Sequence, residues 1–87
     1  MELGKKNLHW SEDPFDPKKC YIDGICDIDD EERKKARVLV FPSHVDRKTV
    51  TFVSVWINSW DWPSLQKIVV PRGVETYHME GFTIEYK

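Results

Sequence analysis

Residues 49–58 read TVTFVSVWIN, and the fold turns on how this stretch is laid. Its β-branched and aromatic content predicts one long strand. Period-two alternation puts Val50, Phe52 and Trp56 on one face and Val53, Val55 and Ile57 on the other. Both faces are apolar, so the segment is expected to be a central strand covered on two sides, or a strand at an interface. A homodimer built on residues 49–57 is one form of the second case. On this alternation Trp56 belongs to the core.

Just beyond lies SWDWP, residues 59–63, in which Trp60 and Trp62 flank Asp61. Two tryptophans around a charge are difficult to bury together in a small core. At a protein interface each would bury a large area at little rotamer cost. Trp60, Asp61 and Trp62 are therefore candidate partner-binding residues.

Working outward, DWPSLQKIVVP (61–71) predicts a short helix with Asp61 as cap and Pro63 in its first turn, with the IVV stretch as an extended alternative. The last segment, VETYHM, Glu80-Gly81 and FTIEY, predicts a hairpin in which Tyr77 faces Ile84 and Met79 faces Phe82. Upstream, ARVLVFP (36–42) is a short strand stopped by Pro42, and SHVDRK (43–48) a polar link. DDEERKKAR (29–37) offers one or two helical turns: Asp29 or Asp30 can cap it, Glu31 and Glu32 suit its positive end, and Glu31 stands four before Lys35.

CYIDGICDI (20–28) predicts a hairpin turning at Asp23-Gly24. A two-residue turn sets Cys26 opposite Tyr21, whereas a three-residue turn sets it opposite Cys20; only the second permits a disulfide. Residues 1–19 carry Pro14, Pro17 and many charges without periodicity, and are expected to be an irregular arm pinned by Trp10 and Phe15, leaving 20–87 as the globular domain. The expected fold is α+β and β-rich: a small single domain with roughly four to six strands in a mostly antiparallel sheet or half-open barrel, and one or two short helices.

At 87 residues there is room for one modest core, and 40% hydrophobic against 32% charged residues is a globular balance. No apolar run suits a signal peptide, and nowhere do about 18 apolar residues follow one another. The expectation is a cytoplasmic protein with free thiols and no membrane association. The net charge of -2 divides unevenly: residues 1–32 hold ten acids and four bases, residues 33–87 nine bases and five acids. The acidic segment Asp27, Asp29, Asp30, Glu31 and Glu32 is thus a candidate docking surface for a basic patch on another protein.

Chemistry finds less support. Cys20, Cys26, His9, His44 and His78 are metal-ligand types, but the cysteines are spaced C-x5-C with no second close pair. The five residues before Gly24 include only one acid, Asp23, so DGICDIDDEE lacks the calcium-loop pattern. Ser43, His44 and Asp46 are too near in sequence to converge readily as a triad, and no GxSxG elbow or phosphate loop occurs. No catalytic residues, metal or cofactor are expected.

The expected function is a small non-enzymatic protein-binding module, an inhibitor or adaptor that occludes a partner surface. This profile is shared with small inhibitors, including phage-borne ones that occupy a host protein, although the likeness assigns no residue. The alternative is an OB-like single-stranded nucleic-acid binder, stacking bases on aromatic side chains with Arg47, Lys48, Lys67 and Arg72 along the phosphates. The acidic front of the chain weighs against it.

Overall fold

In the computed structural model, which describes every residue from Met1 to Lys87, the chain lays down eight strands in two sheets. After a 3₁₀ turn at Lys5–Asn7 come β1 (Leu8–Asp13), β2 (Asp16–Ile25), helix α1 (Asp30–Lys35), β3 (Val38–Val40), β4 (His44–Val45), β5 (Lys48–Ser54), β6 (Lys67–Val70), β7 (Glu75–Tyr77) and β8 (Thr83–Tyr86). One sheet runs β1-β2-β5-β4, with β7 also against β5; the other runs β3-β6-β8. Their inner faces share a core of 18 buried side chains, among them Ile22, Leu39, Phe41, Val53, Ile68 and Val70. This is a small β-rich α+β domain with one short α-helix, and its strands do not close into a barrel.

The central strand is β5, as expected, but its faces are not those of simple alternation. Val50 pairs with Cys20 and Phe52 with the next residue, Tyr21, so Thr51 is an extra residue in β5. Such a bulge shifts everything beyond it to the opposite face. Val50, Val53, Val55 and Ile57 all point inward, while Phe52 turns outward and Trp56 is 76% exposed. The expectation that Trp56 lies in the core is corrected by this one residue. Both edges of β5 are already paired within the chain, so a second copy has no free backbone edge here to join.

The pairing is mixed rather than mostly antiparallel. Only β1-β2 and β4-β5 are antiparallel; β2-β5, β5-β7, β3-β6 and β6-β8 are parallel. Nor do residues 1–19 form an irregular arm: β1 extends the five-stranded sheet, Leu3 and Leu8 are buried, and Glu2 bridges Val40. The chain reverses at Pro14-Phe15, where the Asp13 carboxylate accepts a hydrogen bond from the Phe15 N–H at 2.8 Å.

No turn forms at Asp23-Gly24, because β2 continues through it to Ile25. Gly24 is there for close approach, not for a turn: a Cβ on it would meet the His9 Cβ at 3.2 Å. Cys20 and Cys26 lie on this one strand and just beyond it, and both are free thiols.

The polar link instead contains a tight hairpin. Asp46 and Arg47, both at positive φ, join β4 to β5 in the manner of a type I′ turn. The short helix expected within 61–71 is absent, residues 59–64 making turns in which the Asn58 side chain accepts from the Trp60 and Asp61 N–H groups at 3.0 Å, while the extended alternative for Ile68, Val69 and Val70 is the one observed, in β6. The C-terminal hairpin also divides, with β7 joining β5 and β8 joining β6. Helix α1 forms where expected, capped by the Asp29 carboxylate on the Glu32 N–H at 2.8 Å.

Candidate partner-binding site

Three chain segments meet beside the C-terminal end of β5. The end of β2 with residues 26–28, Arg33 of α1, and the loop at 55–62 enclose an open cleft of about 340 Å³. Asp23, Asp27 and Asp61 stand on its walls, and Arg33 is its one basic residue. Arg33 is already paired with Asp30. The three wall carboxylates therefore face the cleft without a cation of their own, and Asp61 takes only a hydrogen bond from the Asn58 amide at 3.2 Å.

A shallower depression adjoins it, lined by Asp30, Arg33, Lys34, Trp60 and Asp61. Trp60 is 92% exposed, on a loop whose backbone is held by Asn58. Asp27, Asp30, Trp60 and Asp61, expected to act together, thus converge around Arg33. The rest of the expected set divides. Trp62 is only 5% exposed and belongs to the core, reaching the cleft only as part of its wall; Asp29 is occupied as helix cap. Glu31 and Glu32 are exposed on α1 and line neither depression.

Sequence reading missed the outward face of the five-stranded sheet. Tyr21, Phe52 and Tyr77, on the adjacent strands β2, β5 and β7, form a row with ring centroids 5.4 and 4.9 Å apart. Farther along, Trp56 stacks on His78 at 3.8 Å, with His78 held at positive φ. Carboxylates end the row: Glu75 accepts a hydrogen bond from the Tyr77 hydroxyl at 3.1 Å, and Asp13 lies beside the Tyr21 phenol. The neighbouring carboxylates push both phenols above the ordinary tyrosine value, since losing the proton would set two negative oxygens side by side. The backbone N–H of Phe15 holds the Asp13 carboxyl below the usual aspartate value, with Tyr21 adding to the effect. The Thr51 bulge is what sets Phe52 in this row, and no local signal in the sequence announces it.

Ser43 Oγ lies 3.0 Å from His44 Nδ1, but Asp46 pairs with Lys5 at 3.4 Å. No three His, Cys, Asp or Glu side chains converge as metal ligands would. Burial pushes the Cys20 thiol up, which disfavours the reactive thiolate. No helix is long and apolar enough to cross a membrane. Compared with family models, curated proteins and solved structures, the chain matches none.

Proposed function

We propose that this chain is a small non-enzymatic protein-binding module, of the inhibitor or adaptor kind, that covers a basic surface on another protein. The observation that carries this reading is the exposed Trp60 indole beside a cleft whose Asp23, Asp27 and Asp61 carboxylates lack cations. An exposed indole on a braced loop can anchor in a partner's pocket, because little order is lost on binding. Uncompensated carboxylates around it speed encounter with a cationic surface and discourage anionic ones. The mechanism is occlusion: no bond is made or broken, and the partner loses access to what its basic patch would otherwise bind.

A test uses the full chain as bait in a lysate of its native host, beside Trp60→Ala and the Asp27→Asn/Asp61→Asn double variant. A protein retained by the wild-type chain, lost with Trp60→Ala, and released by salt more readily than a hydrophobic contact would allow is the expected result. Equal retention by all three baits refutes the reading.

Nucleic-acid binding is the second reading, supported by the aromatic row on an open sheet face. Against it stand Asp13 and Glu75 at the ends of that row, where a phosphate backbone would have to run. Titration with single-stranded oligonucleotides at low salt separates the two, since a nucleic-acid binder gains affinity steeply as salt is lowered.

A further inference from the structure

We infer that the Tyr21–Phe52–Tyr77 row, with Asp13 and Glu75, is a receptor for one arginine side chain of a partner polypeptide. The proposal takes from the protein-binding reading only the class of partner, and it concerns a surface separate from the Trp60 cleft. The row borders an open depression of about 370 Å³ lined by Asp13, Lys19, Tyr21, Thr51, Phe52 and Glu75.

Charge selects the guest. Two carboxylates and one ammonium line the depression, and Lys19 also reaches outward to Asp16 at 3.8 Å. The lining carries a net charge of -1, from two acids less one base, and a single monovalent cation balances it. The ring faces favour the same sign, because the quadrupole of an aromatic face attracts cations. The rings are tilted by 58° and 32° to one another, so they do not consume each other's faces by stacking flat.

Shape narrows the cation to a guanidinium. The register sets Glu75 beside Phe52 on the neighbouring strand, while Asp13 and Tyr21 line the depression together on the other side. A planar group laid over Phe52 has an aromatic surface beneath it and a carboxylate toward each end. Guanidinium combines a flat stacking face with donors along its edges; an ammonium offers a point charge that cannot stack. The Tyr77 hydroxyl holds Glu75 through Oε2 and the Phe15 N–H holds Asp13 through Oδ1, and each carboxylate keeps acceptor capacity for the guest.

The experiment titrates the full chain with acetyl-Gly-Arg-Gly-amide, following the side-chain resonances of Tyr21, Phe52, Tyr77 and Trp60 by NMR. The tripeptide with citrulline in place of arginine has nearly the same shape and no charge. The expected result is saturable shifts at Tyr21, Phe52 and Tyr77 with the arginine peptide, and affinity at least about fivefold weaker with citrulline. Asp13→Asn combined with Glu75→Gln keeps an oxygen acceptor at each position and is expected to weaken the arginine peptide by a similar factor, with the amide spectrum otherwise unchanged. Phe52→Leu, which keeps an apolar side chain, removes the ring and is expected to weaken it as well. Equal binding of the two peptides, no effect of the carboxylate variants, or no saturable shift in the row each overturns the inference. Shifts confined to Trp60 overturn it while leaving the cleft reading standing.

Discussion

Trp60 and Trp62 are two residues apart and chemically identical, so replacing each by alanine isolates burial as the variable. Trp62 is 5% exposed and packs in the shared core, whereas Trp60 is 92% exposed. A buried tryptophan removes about 200 Å² from water, which at about 25 cal/mol per Å² corresponds to roughly 5 kcal/mol. Alanine keeps the Cβ, and the cavity left behind adds a further cost, so Trp62→Ala is expected to lose about 3–5 kcal/mol. An 87-residue domain has a total stability of roughly 4–13 kcal/mol, so this variant stands near the edge of folding. Trp62→Phe, which refills most of the space, should remain folded with an intermediate loss. Trp60→Ala should fall within about 0.5 kcal/mol of the parent. Urea unfolding followed by far-ultraviolet circular dichroism measures all three without interference from the remaining indoles. A loss below about 1 kcal/mol for Trp62→Ala, or a larger loss for Trp60→Ala than for Trp62→Ala, would refute the assignment of one ring to the core and the other to the surface.

Further expectations concern the sheet face, the thiols and the helix. Asp13→Asn is expected to bring the Tyr21 titration down toward the ordinary tyrosine value, read from phenolate absorbance against a Tyr21→Phe control; an unmoved titration contradicts the influence of the Asp13 carboxylate on Tyr21. The signs follow from the directions: with its folded pKa raised, Tyr21 contributes stability at neutral pH that is lost as pH rises through that folded value. Asp13, with its folded pKa lowered, contributes stability above the unfolded aspartate value that is lost as pH falls through the folded one. A thiol reagent should label the half-buried Cys26 promptly and the fully buried Cys20 only after unfolding; two promptly reactive thiols would contradict the core. Asp29→Ala should cost about 1 kcal/mol and raise hydrogen exchange in α1 first, because it leaves the Glu32 N–H without its cap.

What could be read from the sequence was local in origin. Helix α1 formed where Asp29 could cap it and acids could sit at its positive end, since neighbouring residues make all of those contacts. The short strand near Val38–Val40 and the central place of residues 49–57 followed from β-branched content. Partners of strands were a different matter. Four of the six ladders are parallel, and each joins segments separated by long stretches of chain that leave no turn signal to read. Asp23-Gly24 has the composition of a hairpin turn, but that chemistry also suits a bulge where β1 passes close to β2. In the candidate site, Trp60, Asp61, Asp27 and Asp30 were visible as exposed aromatic and acidic types. Tyr21, Phe52 and Tyr77 were not, because their grouping depends on the register of three strands.

The extra residue at Thr51 links the fold to the surface it presents. Without it, Phe52 and Trp56 would follow Val50 inward, and Val53, Val55 and Ile57 would lie on the outer face. With it, the three smaller aliphatic side chains enter the core while the sheet face gains Phe52, between Tyr21 and Tyr77, and Trp56 against His78. The acids follow the same division. Asp13, Asp23 and Asp27, all from the acidic first third of the sequence, lie along that aromatic side together with Asp61 and Glu75. The inserted residue thus places large rings beside carboxylates that other strands and loops supply, the combination that the proposed recognition of a cationic side chain requires.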